Sequence, residues 1–345
     1  MKKIIIFLHT ILVLNLIFAQ EQLDHTKKYY INSKGKLYWN GDLPFYLFGA
    51  SDSAGTDIVK LKTNNAEKYA NPLYFDTEGD NFFRARWAVD PITKKKINPE
   101  IEMLYVVSRD SYAPRSSIKL SGAKKIVNDG LVYFGKGLKA NISAKDEGSG
   151  VEDIYFSINQ KEYSTYSTEL DFSKEDTYQV SYYSLDNTGN VETPKTVNFI
   201  VDTSDPKTKI AINKDYTGEI FSPRTQVKFT STDQGAGVAG IYYQIDNKSV
   251  QMYTQQITFQ ELKEGEHTIS FFAIDKVGNK EVTSVQNFFL DKSAPVVTFN
   301  VVGEQYQNRG RVYVSERTKI ELTAVDNKAG VEEISFQIDN GPIRL

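Results

Sequence analysis

Residues 181–192 read SYYSLDNTGNVE, and residues 270–281 read SFFAIDKVGNKE. Both run two aromatics, a small residue, an aliphatic and then Asp-x-x-Gly-Asn, and their Asp186 and Asp275 lie 89 residues apart. A second marker precedes each of them. ISAKDEGSGVEDIYFSIN, FTSTDQGAGVAGIYYQID and LTAVDNKAGVEEISFQID carry Asp146, Asp233 and Asp326, spaced by 87 and 93 residues. A third marks the joins: DSYAP, DTSDP and DKSAP place Asp110, Asp202 and Asp291 four residues before Pro114, Pro206 and Pro295. Three markers with one period near ninety residues define an internal repeat, and the period bounds the units.

The repeat divides the chain into 114–205, 206–294 and an incomplete copy at 295–345. Residues 20–113 read as a degenerate first copy with an insertion. There FGASDSAG resembles the first marker at Asp52, FFRARWAVD resembles the second at Asp90, and the Gly-Asn turn is missing. Residues 1–19 open with Lys2 and Lys3, continue in an apolar run and end at Ala19, the pattern of a secretory signal peptide; no other stretch approaches a membrane span. The expected location is therefore exported: cell surface, periplasm or extracellular. Removing Lys2 and Lys3 takes the formal net charge from −3 to −5, with no basic face for a nucleic-acid partner. With no cysteine, each unit has to be held by burial, and 21 Tyr and 20 Phe supply the apolar area.

Within the unit that starts at Pro114 the segments SSIKL, LKANISA, DIYFSI, STELDF, TYQVSYYSL and TVNFIV are short, rich in β-branched and aromatic residues, and separated by Gly, Asn and Asp. Such segments at intervals of about 8–12 residues predict an all-β chain of tandem Ig-like or fibronectin-III-like β-sandwiches. LKANISA alternates apolar with polar and predicts one inward face. VSYYSL and ISFFAI are apolar on both faces and predict central strands. A transmembrane β-barrel would need strands of about ten residues with lipid-facing alternation throughout, which the Asp-rich turns interrupt.

GVEDIYFSIN and GVAGIYYQIDN, followed by EGEHTISFFAIDKVGNKE, resemble the bacterial Ig-like repeat family named after a leptospiral surface outer-membrane protein. The resemblance covers about residues 114 to 345. It implies an extracellular, often tandem Ig-like sandwich in a bacterial envelope protein, with attachment to host matrix in some members, a property that does not transfer with the fold.

No catalytic constellation is expected. After leader removal only His25 and His267 remain, neither with a Ser-His-Asp or Cys-His partner in the sequence, and both read as surface or packing residues. The repeating Asp residues belong first to the architecture, because a catalytic pair occurs once. Two readings of them stand together. In Asp-x-x-Gly-Asn the carboxylate can accept N–H bonds across its own turn while Gly189 or Gly278 takes positive φ. In an Ig-like topology the entering linker, the B–C loop and the F–G loop share one end of the sandwich. Asp110, Asp146 and Asp186 would then converge, as would Asp202, Asp233 and Asp275, and Ca²⁺ at these junctions would relieve their repulsion; Lys145, Lys207 or Lys276 are the competing source of positive charge.

Trp39 and Trp87 in the irregular N-terminal unit are candidates for a carbohydrate platform. The function expected is a non-enzymatic adhesion, binding or spacer array whose partner is a protein matrix or a glycan, with a non-catalytic carbohydrate-binding envelope protein as the alternative. In the last copy the spacing places the third Asp near position 367, beyond Leu345. Its apolar strands are therefore expected to be completed by the rest of a longer protein or by a partner chain.

Overall fold

The computed structural model describes residues 23–46, 48–49, 59–60, 72–85, 92–95, 103–213 and 215–345. The expected leader, Asp52, Asp90 and Trp87 lie outside these residues. All regular elements among the described residues are strands. The chain divides into two compact units, residues 1–122 with 137–201, and residues 123–136 with 202–345.

The N-terminal part contributes β1 (Tyr29–Ile31), β2 (Leu37–Asn40), β3 (Phe48–Gly49), β4 (Val59–Lys60), β5 (Gly79–Ala85) and β6 (Met103–Asp110). β1, β2, β6 and β5 form one sheet in that order, with β2 parallel to β6. The β1–β2 hairpin turns at Asn32, whose side chain accepts the N–H groups of Lys34 and Lys36, and at Gly35 with φ of +77°. Leu73, Phe75 and Val107 are buried, and the half-buried Phe45 meets the rings of Trp39 and Phe75.

The next stretch forms β7 (Arg115–Ser121), β8 (Lys125–Asn128), β9 (Leu131–Phe134), β10 (Leu138–Lys145), β11 (Val151–Ile158), β12 (Ser164–Thr165), β13 (Leu170–Phe172), β14 (Asp176–Asp186) and β15 (Lys195–Val201). One sheet runs β13-β10-β7 and the facing one contains β12-β11-β14-β15. In β10, Leu138, Ala140 and Ile142 are buried while Lys139, Asn141 and Ser143 are exposed, the expected alternation. β14 is buried on both faces from Tyr182 to Asp186, as a central strand should be. The β8–β9 hairpin, turning at Asp129 and Gly130 with positive φ, counts with the second unit although its sequence precedes β10.

The second unit continues with β16 (Lys207–Asn213), β17 (Tyr216–Thr217), β18 (Ile220–Phe221), β19 (Gln226–Thr232), β20 (Val238–Ile245), β21 (Gln251–Met252), β22 (Gly265–Asp275) and β23 (Ser284–Leu290). β16 pairs with β19 against a facing sheet of order β17-β18-β23-β22-β20-β21. Between them lie Phe221, Val227, Phe229, Phe259, Ile269, Phe271, Phe288 and Leu290. Phe221 stacks on Phe288 at 4.6 Å between ring centroids. The chain is an all-β protein of tandem β-sandwiches.

Both β11 and β20 start with a register shift, between Val151 and Asp153 and between Val238 and Gly240. This extra residue kinks the strand beside the loop that bears the marker Asp. Residues 295–345 form β24 (Val296–Val302) paired with β27 (Lys319–Val325), and β25 (Gln305–Asn308) paired with β26 (Arg311–Val314). Phe299, Val296, Val325 and Ile338 are exposed here, whereas Ile210 and Phe229 of the preceding copy pack into a core.

Phe288 is 1% exposed at the centre of the aromatic cluster. Phe288→Ala is therefore expected to cost about 3–5 kcal/mol, the range for truncating a buried Phe. A denaturant titration of the full chain followed by near-ultraviolet circular dichroism reads this as an earlier transition.

Candidate metal sites at the repeat joins

The end of β6, the loop after β10 and the end of β14 bring Asp110, Asp146 and Asp186 together, each offering a carboxylate oxygen within 4.8 Å of the others. In the second unit the chain entering β16, the loop after β19 and the end of β22 do the same with Asp202, Asp233 and Asp275. All six Asp residues singled out from the sequence thus fall into the two expected triads. In each, the linker and turn carboxylates are buried and the loop carboxylate is half-buried.

Backbone N–H groups meet much of the charge. Asp146 Oδ2 accepts from Gly148 and Gly150 at 2.9 and 2.8 Å, and Asp233 Oδ2 accepts from Gly235 and Gly237 at the same distances. The same loops reach the linker residue: Ser149 N–H donates to Asp110 at 2.7 Å and Ala236 N–H to Asp202 at 2.5 Å. A Cβ at Gly148 or Gly235 would overlap the carboxylate of Asp110 or Asp202, so the marker needs glycine for close approach. In the turns, Asp186 accepts from the N–H groups of Thr188 and Asn190, and Asp275 from those of Gly278 and Asn279. The turn-capping reading and the convergence of carboxylates therefore coexist in the same side chains.

The two triads differ in their donors. The Thr188 hydroxyl lies between Asp186 and Asp110, at 3.0 and 3.3 Å, whereas Val277 stands in its place in the second copy. Asp233 Oδ1 is buried with no hydrogen-bond partner among the described residues. Burial first, and then the charge of Asp110, push Asp146 and Asp186 above the ordinary carboxylate range against the pull of their N–H donors. Burial likewise raises Asp202, with Asp233 and Asp275 adding to it. Among the described residues no ion pair joins Lys145, Lys207 or Lys276 to a triad; Lys276 donates to Asn128 in the β8–β9 turn at 3.0 Å.

Two residues of the repeated motif have roles that the sequence reading does not assign. Asn190 Nδ2 donates to Asp186 and to the Asp110 carbonyl, and Asn279 Nδ2 donates to Asp275 and to the Asp202 carbonyl, so the turn is tied to the linker. Glu192 accepts from the Ser116 N–H and from Ser184, and Glu281 accepts from the N–H groups of Thr208 and Ala273. Each glutamate joins the first strand of its repeat to the central strand. Their recurrence in both quoted stretches is the signal that points to them.

A different kind of contact covers the first turn. Asn40 at the end of β2 is buried and donates to the Thr188 carbonyl and to Asn190 Oδ1. No repeat marker reaches Asn40. His25 contacts the Tyr183 hydroxyl at 3.2 Å, and His267 contacts Asp246 and the Lys263 carbonyl. Trp39 stacks on the exposed Tyr29 at 5.7 Å, meets Phe45 edge-on and donates its indole N–H to the Leu43 carbonyl.

No family model matches the chain, and no curated protein matches it. Solved structures that resemble it include fibronectin(III)-like modules of Clostridium thermocellum CbhA, at 13% identity over 52% of this chain and 95% of that one, with a TM-score of 0.30. They also include a 1.5-MDa bacterial ice-binding adhesin, at 13% identity over 60% of this chain and 73% of that one, with a TM-score of 0.27.

The raised carboxylates fix a sign. A group whose pKa is higher in the folded state contributes stability that is present at low pH and lost as pH rises through that folded value. In chelator, acidifying from neutral toward the carboxylate range, near ~4 for unperturbed groups, is expected to raise the melting temperature through Asp146, Asp186 and Asp202. Thermal melts of Asp146→Asn and Asp186→Asn variants check this, because each should lose part of that rise.

Proposed function

We propose that the chain is a non-enzymatic, exported array of Ig-like repeats, a member of the leptospiral-type family its motifs resemble, acting in adhesion or as a spacer in a bacterial envelope. Ca²⁺ held in the two Asp triads fixes each linker against the two loops beside it. The observation that carries the reading is the pair of triads built alike, with three carboxylates each and no ion-paired lysine among the described residues. Three carboxylates against a divalent, oxygen-seeking cation suit Ca²⁺, which takes 6–8 oxygen ligands and completes its shell with carbonyls or water. Asp233 Oδ1, buried and without a donor, is an oxygen that such an ion would satisfy. The partner presented to such an array is a protein matrix or a glycan.

Titration calorimetry of the full chain tests the cation. Two sites are expected, with dissociation constants of about 0.1–1 mM or tighter, as in extracellular modules, together with a higher melting temperature in Ca²⁺ than in chelator. Asp233→Asn keeps an acceptor for Gly235 and Gly237 while removing the charge, so it should fold and lose one site; Asp146→Asn should lose the other. Absent heat with identical melting in Ca²⁺ and chelator would leave the carboxylates as turn caps alone.

A further inference from the structure

The ring of His267, at the start of β22, lies between two acceptors. Nδ1 is 2.9 Å from Asp246 Oδ2 and Nε2 is 2.8 Å from the Lys263 carbonyl. A carboxylate and a carbonyl only accept, so both contacts are hydrogen bonds only when both ring nitrogens carry a proton. The side chain is 12% exposed and its ring stacks on Phe288 at 5.5 Å. Burial alone would raise Asp246, but the Thr268 N–H and His267 outweigh it and hold the carboxyl below its usual range, as an anion.

The first repeat holds the uncharged version of this arrangement. Tyr178 occupies the position of His267, stacks on Phe199 at 5.6 Å, and donates its hydroxyl to the Lys174 carbonyl at 3.0 Å. Asn159 occupies the position of Asp246; both have φ of +52°, and each accepts the N–H of the strand opposite, Gln179 or Thr268. Tyrosine and asparagine have thus been exchanged together for histidine and aspartate on one backbone. The phenol keeps its proton throughout the neutral range, since burial and the nearby Asp176 and Asp171 raise it further.

We infer that His267 and Asp246 form a proton-dependent clamp that pins the loop between Phe259 and Gly265 to the turn after β20. With two protons the ring holds both acceptors. With one it keeps the N–H bonded to the Asp246 anion and releases the Lys263 carbonyl. The charged groups on the surrounding elements are Asp246 and Lys248 in the turn, Glu261, Lys263 and Glu264 in the loop, and Glu266 on β22; β23 presents the neutral Phe288. The clamped loop also grips the chain leaving the repeat. Lys292 donates to the Gln260 and Leu262 carbonyls at 2.9 and 2.8 Å, and the Ser293 hydroxyl donates to Glu264. Deprotonation therefore loosens both the loop and its hold on the Asp291–Ser293 linker.

Hydrogen exchange of the full chain in chelator, corrected for the intrinsic pH dependence of exchange, tests the clamp against its neutral counterpart. Between about pH 5 and about pH 8, where histidine changes charge, protection of the 259–266 amides should fall by about 10- to 100-fold, the loss of one charge-assisted hydrogen bond. Protection of 171–177 should not follow. His267→Tyr, which installs the first repeat's residue, should keep the loop protected and remove the pH response. In the unsubstituted chain, nitrogen-15 NMR should show both ring N–H protons of His267 at the acid end, whatever the variant does to folding. Protection of 259–266 that does not change with pH, a response that survives in His267→Tyr, or a singly protonated ring at the acid end would overturn the inference.

Discussion

Each triad concentrates three carboxylates within 4.8 Å of one another, and the surrounding backbone is arranged to meet that charge. The marker loop turns its N–H groups inward on two of the three side chains at once, which requires a glycine where the linker carboxylate passes. The turn after the central strand closes on the third, and its Asn then bonds the linker carbonyl. Linker, loop and turn are thus joined through the same few atoms. Burial, and after it the carboxylates' mutual repulsion, keeps Asp146, Asp186 and Asp202 raised, and this is the deficit that the proposed cation would offset.

What could be read from the sequence was whatever recurs. The ninety-residue period exposes the six Asp residues, and once β10 is placed by its alternation and β14 by apolar residues on both faces, sandwich topology brings the loops together. Asn190, Asn279, Glu192 and Glu281 recur equally, yet their partners are backbone groups of linkers and first strands, which have no signature in side-chain identity. The β8–β9 hairpin is short, and its packing beside the second triad depends on a backbone approach: Gly135 lies so close to the Val277 carbonyl that a Cβ would overlap it. Pattern alone does not show such an approach.

The covering of the two turns shows the same limit from another side. Over Gly189 runs the backbone of Thr26 and Lys27, with Lys28 N–H bonded to the Thr188 carbonyl. Over the second turn lies the β8–β9 hairpin, with Lys276 bonded to Asn128 and the Phe134 carbonyl accepting the Asp202 N–H. The two covering segments share no motif, because a peptide backbone set against a glycine-bearing turn needs little from its own side chains. The repeat therefore fixes the turn and leaves its cover free to vary.

Where the copies themselves diverge, one change gives up a hydrogen bond and another exchanges two residues together. Thr188 to Val277 removes a donor shared by two carboxylates, and it is in the second triad that Asp233 Oδ1 has no partner. Tyr178 to His267 keeps a donor for the loop carbonyl but adds a second ring nitrogen, and the accompanying Asn159 to Asp246 supplies its acceptor. Had histidine come alone, its Nδ1 would face an amide able to present either a donor or an acceptor, so no protonation state would be selected. Aspartate only accepts, so with the Lys263 carbonyl at the other nitrogen both contacts are hydrogen bonds only when each ring nitrogen carries a proton, whereas in the first repeat a single phenol hydroxyl serves the loop carbonyl.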